Sequence, residues 1–222
     1  MPIISLLNPK GGSGKTTLST QLVRAFHERG AKVLLVDSDP QGSASDWHAV
    51  REENPIPLLA YGRPENMRAL PGVAAPYQYV FIDGAAKLEG MIAAAVKVSD
   101  AVLIPVQPSP YDIWAASDLV DLIRARQEVT DGKLLAAFVI SRAIKRTRLG
   151  KEITGALSEY GLPVFQTTNI QRQVYPQTAA EGLTVFDVAA VSAISEINAI
   201  AEELEALLAT GRTGHGTERK TA

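Results

Sequence analysis

The residues with the clearest chemical purpose are Lys10, Gly11, Gly12, Ser13, Gly14, Lys15, Thr16 and Thr17, the run KGGSGKTT. They stand between an apolar run, IISLL at 3–7, and a stretch that reads as a helix over 15–29. Glycines at such a junction let successive backbone N–H groups turn towards an anion, and the first turn of the helix adds its positive end. Lys15 is placed to reach the β- and γ-phosphates of a nucleotide, Thr16 to put its hydroxyl on Mg²⁺, and Thr17 to bond the α-phosphate. A ligand-free Gly-rich turn is the plain alternative, which G-x-G-K-T-T between a strand and a helix disfavours.

A Mg-nucleotide site also needs a carboxylate at the end of a neighbouring strand. VFIDG places Asp83 there, and Gly84 behind it is placed to offer its N–H to a γ-phosphate. Asp-Gly alone is an ordinary turn; its pairing with the loop gives it a function. VDSDPQG at 36–42 ends a second strand in two more carboxylates. Asp39 is the candidate to orient an attacking water, and Asp37 to support the Mg²⁺ shell. Neither has to be a strong base, because phosphoryl transfer depends mainly on positioning and charge stabilisation. D-P-Q-G is also good turn chemistry, so this segment taken alone reads as a capped loop.

The elements that must position these residues follow from alternation along the chain. Strands are expected at 3–7, 31–37, 55–61, 77–84, 100–106, 134–141 and 162–167. Helices are expected at 15–29, 43–53, 88–98, 112–128, 147–160 and 189–209. The strands are continuous apolar runs, so both sheet faces are covered. The fold class is α/β, a doubly wound and mostly parallel sheet whose ligands sit beyond the carboxyl ends of the strands. The 222 residues suit one domain over 1–209, followed by a polar tail at 210–222 that reads as disordered.

Composition narrows the chemistry. A net charge of −2 gives no global basic field for nucleic acid. The absence of cysteine removes disulfides, thiolate metal sites and Cys nucleophiles. No apolar run approaches the roughly 18–20 residues of a membrane-spanning helix, and no signal segment is evident, so a cytoplasmic location is expected.

Taken together, KGGSGKTT, VDSDPQG and VFIDG resemble the deviant Walker A ATPases, over residues 3 to about 190. The resemblance implies ATP and Mg²⁺ as cofactors. It makes Lys10 similar to the family's signature lysine, which reaches across an ATP-dependent homodimer to the partner's phosphates. PVQPSPYD at 105–112 resembles the proline-rich segment of the small ParA-type (ParF-like) partition ATPases. That would place Pro108, Ser109 and Pro110 at the adenine pocket and dimer interface. NIQRQVYPQTAAEGLTVFD near the C-terminus points the same way. The implied activity is DNA partition: an ATP-bound dimer, nucleoid-associated through non-specific duplex DNA, reset when a centromere-bound ParB/ParG-like adaptor stimulates weak hydrolysis. A positioning ATPase for a protein cargo is the alternative, and a small-molecule ligase of dethiobiotin-synthetase type a more distant one. Iron-protein relatives need cluster cysteines, and none exist. The last helix carries Glu196, Glu202, Glu203 and Glu205, which anionic lipid would repel, so no membrane partner is expected. Lys87 departs from the pattern and has no assigned role.

SRAIKRTRLGKE at 141–152 concentrates Arg142, Lys145, Arg146, Arg148 and Lys151, with Arg172 and Arg124 as extensions. Charge alone leaves a solvated loop and a DNA contact evenly matched. The resemblance favours phosphate contacts with duplex, since no aromatic residues are interleaved for single-strand stacking.

Overall fold

In the computed structural model, residues 1–144 and 149–213 are described. The chain runs β1 (Ile3–Leu6), α1 (Lys15–Glu28), β2 (Val33–Asp37), α2 (Ser43–Val50) and β3 (Leu58–Ala60). A 3-10 turn (Pro64–Ala69) leads into the short α3 (Leu70–Val73), then β4 (Tyr79–Asp83), α4 (Glu89–Val98) and β5 (Ala101–Val106). There follow α5 (Pro110–Ala115), α6 (Ser117–Val129), β6 (Leu135–Ile140), α7 (Leu149–Ser158), α8 (Val174–Ala180) and α9 (Val191–Thr213).

The strands form one parallel sheet in the order β3-β2-β4-β1-β5-β6. Side chains alternate between its faces. Ile4, Leu6, Leu35, Phe81 and Leu103 pack with Leu18 and Leu22 of α1 and Ile197 and Leu204 of α9. Ile3, Leu34, Val80, Ile82 and Val102 pack with Met91 and Ile92 of α4 and Leu119 and Ile123 of α6. Two covered faces explain why the strands are apolar throughout.

Insertion of β4 between β2 and β1 builds the site. The register sets Asp83 beside Leu6 on one side and beside Asp37 on the other. The start of the glycine loop and both strand-end carboxylates therefore emerge side by side, at strand spacings of about 4.8 Å.

Three expectations need correction. LPVFQT is not a strand; only Val164 makes a single bridge, to Phe138. Its next N–H groups, of Gln166 and Thr167, are taken by the Glu203 carboxylate of α9 at 2.7 and 2.8 Å, so they cannot extend the ladder. The helix expected at 112–128 starts earlier, at Pro110, and divides into α5 and α6. A proline suits a first helical turn because its missing N–H has no partner there anyway. The last helix runs to Thr213, so the first part of the expected polar tail is helical, and 214–222 lie outside the described residues. The helix α8 and the 3-10 turn with α3 were not anticipated. Among the described residues no helix is long and apolar enough to cross a membrane.

Candidate nucleotide site

The loop between β1 and α1 is anchored before it turns. Asn8 is buried, donates to the Pro105 carbonyl at 2.7 Å, and accepts from the Lys10 N–H at 2.8 Å. Gly12 and Gly14 then adopt φ of +77° and +94°, a region that a side chain disfavours. Gly14 has a second reason: a Cβ there would lie 2.4 Å from Ser141 Oγ. Lys15 opens α1 and is only 7% exposed; its Nζ donates to the Lys10 carbonyl at 3.1 Å, closing the loop on itself. Burial pulls the Lys15 amine below its ordinary value, while the charges of Asp83 and Asp39 oppose that shift. The Gly12 carbonyl accepts twice, from Gln107 Nε2 at 2.8 Å and from the Arg142 guanidinium at 2.9 Å. Lys10 points away from Lys15 chemistry: its Nζ sits 2.5 Å from Oδ2 of buried Asp112 on α5.

Thr16 donates its hydroxyl to Asp83 Oδ2 at 2.7 Å. Asp83 is 1% exposed, and its other oxygen, Oδ1, has no hydrogen-bond partner. Burial raises its pKa to about 7; the Thr16 bond lowers it, Asp37 raises it, and Ser19 and Lys15 lower it further. An unpartnered carboxylate oxygen beside a hydroxyl fits Mg²⁺, a hard cation that takes oxygen ligands from one or two protein groups and substrate phosphates. Thr16 and Asp83 would hold it, and it would supply positive charge to the phosphates.

Asp37 is spent locally. Its Oδ2 accepts from the N–H and hydroxyl of Ser45 at the start of α2, at 2.8 and 2.7 Å. Its Oδ1 accepts from the Asp39 N–H at 3.1 Å, so it positions Asp39. Asp39 in turn receives the Gln41 N–H at 3.0 Å and the Ala86 N–H at 3.4 Å, which joins the loop after β2 to the loop after β4.

Gly84 does not offer its N–H to a phosphate here: that N–H donates to the Leu6 carbonyl at 3.1 Å and continues the β1–β4 ladder. The glycine is required for space, since a Cβ would meet Leu7 Cδ2 at 2.3 Å and the Leu6 carbonyl at 2.6 Å. Gly84→Ala is expected to lower stability by about 1–3 kcal/mol, as overpacking does, a fall in Tm readable by thermal melting. An unchanged Tm would show that the sheet edge yields.

The loop opens into a cleft of about 560 Å³. Its far wall is made by Asn169, Arg172, Tyr175 and Pro176, with Asp39 and Arg142 at other edges. Asn169 Nδ2 donates to the Tyr175 hydroxyl at 2.7 Å, and burial pushes that phenol up to about 12, so it stays neutral. Pro108, Ser109 and Pro110, expected at an adenine pocket, do not line this cleft. Pro110 begins α5, and the Ser109 carbonyl accepts from the N–H groups of Asp112 and Ile113. The space next to the loop is bordered by the segment that enters α8.

Residues 4–185 match the family model of the CobQ/CobB/MinD/ParA nucleotide binding domain. The chain belongs to this family. It is 32% identical over 207 residues to the maintenance of carboxysome distribution protein A of Halothiobacillus neapolitanus, covering 90% of this chain and 95% of that one. It is 27% identical over 196 residues to the chromosome-partitioning ATPase Soj of Thermus thermophilus, covering 74% and 79%. The fold superimposes on the septum site-determining protein MinD of Pyrococcus horikoshii, complexed with Mg-ADP, with a TM-score of 0.74 at 18% identity over 95% and 98% of the two chains.

The basic residues of this MinD/ParA-family chain are largely engaged where they are described. Arg142 bonds the glycine loop. Arg172 pairs with Glu196 of α9, which also receives the Ile170 N–H at 3.3 Å. Arg124 donates to the Tyr160 carbonyl at 2.6 Å and lies 3.8 Å from Asp121. Lys145, Arg146 and Arg148 lie outside the described residues, as does the side chain of Lys151. The acids of α9 have structural work: Glu203 and Glu196 hold the segment before α8, and Glu205 pairs with Arg29, just past the end of α1, at 2.8 Å. Lys87 is exposed, with φ +62°.

Proposed function

We propose that this chain is a positioning ATPase that moves a protein cargo, with ATP-Mg²⁺ driving homodimerisation. Support for the ATP site comes from the assembled loop, Lys15, Thr16 and the half-satisfied Asp83. The cargo reading rests on one observation, the near full-length match to a protein named for carboxysome distribution. In this reading the glycine-loop N–H groups and Lys15 bind the phosphates, Asp39 orients the attacking water, and Lys10 of one subunit serves the nucleotide of the other. The dimer holds non-specific duplex DNA as its matrix, and a cargo-bound adaptor stimulates hydrolysis and release. DNA partition with a ParB/ParG-like adaptor is the second reading, favoured by the likeness to a chromosome-partitioning ATPase. It gives the same ATP cycle and a different cargo.

Binding to random duplex, compared without nucleotide, with ADP-Mg²⁺ and with ATP-Mg²⁺, tests the shared cycle. Binding is expected only with ATP. If each subunit neutralises about three phosphates, log K against log salt should slope near about −5 for a dimer. Absence of binding in every state would count against a DNA matrix and favour a small-molecule enzyme. Gene deletion separates the cargoes: clustered protein bodies with stable plasmid inheritance support the proposal, and plasmid loss with evenly spaced bodies supports partition.

A further inference from the structure

We propose that Gln107 and Arg142 are positioning residues for nucleotide binding: together they clamp the Gly12 carbonyl and fix the peptide plane on which phosphate capture depends. The inference needs the nucleotide loop alone and is independent of the DNA matrix and the cargo.

The loop is a poor receptor if left to itself. A Cβ on Gly11 would meet nothing within 4 Å, and Gly12 already sits at φ +77°. Without a Cβ the torsions of Gly12 are weakly restricted, so on its side the plane between Gly12 and Ser13 is poorly fixed by sterics alone. In a trans peptide the C=O and N–H point in opposite directions. Holding the Gly12 carbonyl therefore fixes the Ser13 N–H on the other side of the plane. A turned plane would exchange an N–H donor for a carbonyl lone pair, and a carbonyl facing a phosphate is repulsive.

Two side chains prevent this. Gln107 Nε2 and Arg142 Nη1 reach the same oxygen, at 2.8 and 2.9 Å. A carbonyl has two lone pairs, and both are used. The arginine bond is charge-assisted, roughly twice as strong as a neutral one. Lys15 Nζ holds the Lys10 carbonyl at 3.1 Å, so the preceding stretch of loop is held by the same means.

Adjacent strand ends deliver both donors. Val106 and Ile140 are register partners in β5 and β6. Gln107 is the next residue after β5, and Arg142 the second after β6. Arg142 has φ +55°, a left-handed conformation that a residue with a Cβ disfavours. It is held there by its neighbours: the Ser141 N–H donates to the Val106 carbonyl at 2.8 Å, and the Ala143 N–H to the Asn169 carbonyl at 3.1 Å. A strained backbone kept in place by surrounding bonds, with its side chain on a ligand loop, suits a positioning role. Both clamp bonds are solvent-exposed, so truncating either side chain leaves no cavity in the core.

The test uses the full chain and the variants Gln107→Ala, Arg142→Ala, their combination, and Arg142→Lys. The readouts are Kd for a fluorescent ADP with Mg²⁺, KM and kcat for ATP, nucleotide-free Tm, and random-duplex binding. Each alanine is expected to raise Kd and KM about fivefold, and the pair by more than the product, because either donor alone still holds the carbonyl. Saturating ATP should restore kcat to within about twofold, the pattern of lost uniform binding. Arg142→Lys should recover most of the affinity. Unchanged Kd and KM in the double variant overturn the proposal, whether or not duplex binding falls; if it does fall, Arg142 is a DNA contact. A fall in kcat at constant Kd and KM also overturns it, as does a loss of affinity that only follows a loss of Tm. Failure of wild-type protein to bind duplex would sink the matrix reading and leave the clamp untouched.

Discussion

Lys10→Ala is expected to keep Mg-ATP binding within about threefold of wild type and to abolish ATP-dependent dimerisation, with adaptor-stimulated hydrolysis falling by about 10³-fold or more. In the single chain the Lys10 ammonium sits 2.5 Å from Asp112 Oδ2. The proposed reading gives phosphate capture in cis to Lys15, so loss of Lys10 should leave nucleotide affinity. Charge supplied to a phosphoryl-transfer transition state from a second subunit is worth about 10³–10⁵ in rate, which sets the size of the effect. One complication can be removed by design. Asp112 is 2% exposed and its Oδ1 is already unpartnered. Stripping its lysine leaves the Asp112 charge without its partner and lowers stability, by less than the about 3–5 kcal/mol of a fully buried pair because the Lys10 side chain is 37% exposed. The double variant Lys10→Ala with Asp112→Asn removes that charge and should regain stability without regaining turnover. Phosphate release with the adaptor, and light scattering with and without ATP, read the outcome. Stimulated turnover near wild type in either variant would end the trans-lysine reading.

The parts of the site that were legible in the sequence are those fixed by contiguous chemistry. KGGSGKTT marks the loop and the start of its helix, and Asp37 and Asp83 end apolar runs that must be strands, so their place at the carboxyl edge follows once the sheet is parallel. Long-range partners were not legible. Gln107 and Arg142 meet Gly12 from 95 and 130 residues away, and Asp112 meets Lys10 from 102. None belongs to a motif that names its partner. SPYD carries a family likeness at Pro108, Ser109 and Pro110, and nothing in it announces that its aspartate pairs with Lys10. A strand-end N–H such as that of Gly84 has two possible uses, and only the register with Leu6 shows that it continues the ladder here. LPVFQT has strand composition, yet a carboxylate of α9 takes the N–H groups of Gln166 and Thr167. Composition sees the side chains of a segment and not the competitor for its backbone.

Asp83→Asn is expected to make the nucleotide-free protein more stable at pH 8 while reducing hydrolysis by about 10²-fold or more, the scale of several kcal/mol that a catalytic metal supplies. The stability effect follows from burial. The carboxyl moves from an ordinary 3.8 to about 7 in the folded chain. A raised acid favours the fold fully while protonated below about pH 4 and loses that contribution as pH rises through about 7. Ionising it at pH 8 therefore costs up to roughly 4 kcal/mol. Asparagine keeps an acceptor for Thr16 but places an amide N–H where Oδ1 has no partner, at a cost of about 1–3 kcal/mol. A net gain of about 1–3 kcal/mol remains, or roughly 3–10 °C in Tm for a chain of this size. Melting curves from pH 5 to 9 without nucleotide should show wild-type Tm falling relative to the variant up to about pH 7 and running parallel to it above. Adding Mg-ATP should reverse the order at pH 8, because the ionised carboxylate then has a cation and a ligand that binds only the folded state. Parallel curves across the whole range would mean that Asp83 is already solvated or paired in the free protein. Reversal of the order by ATP alone, without Mg²⁺, would mean that the residue answers to the nucleotide and not to the metal. Because ionising Asp83 is costly in the folded chain, a cation bound beside its unpartnered oxygen would offset that cost and gain affinity from it.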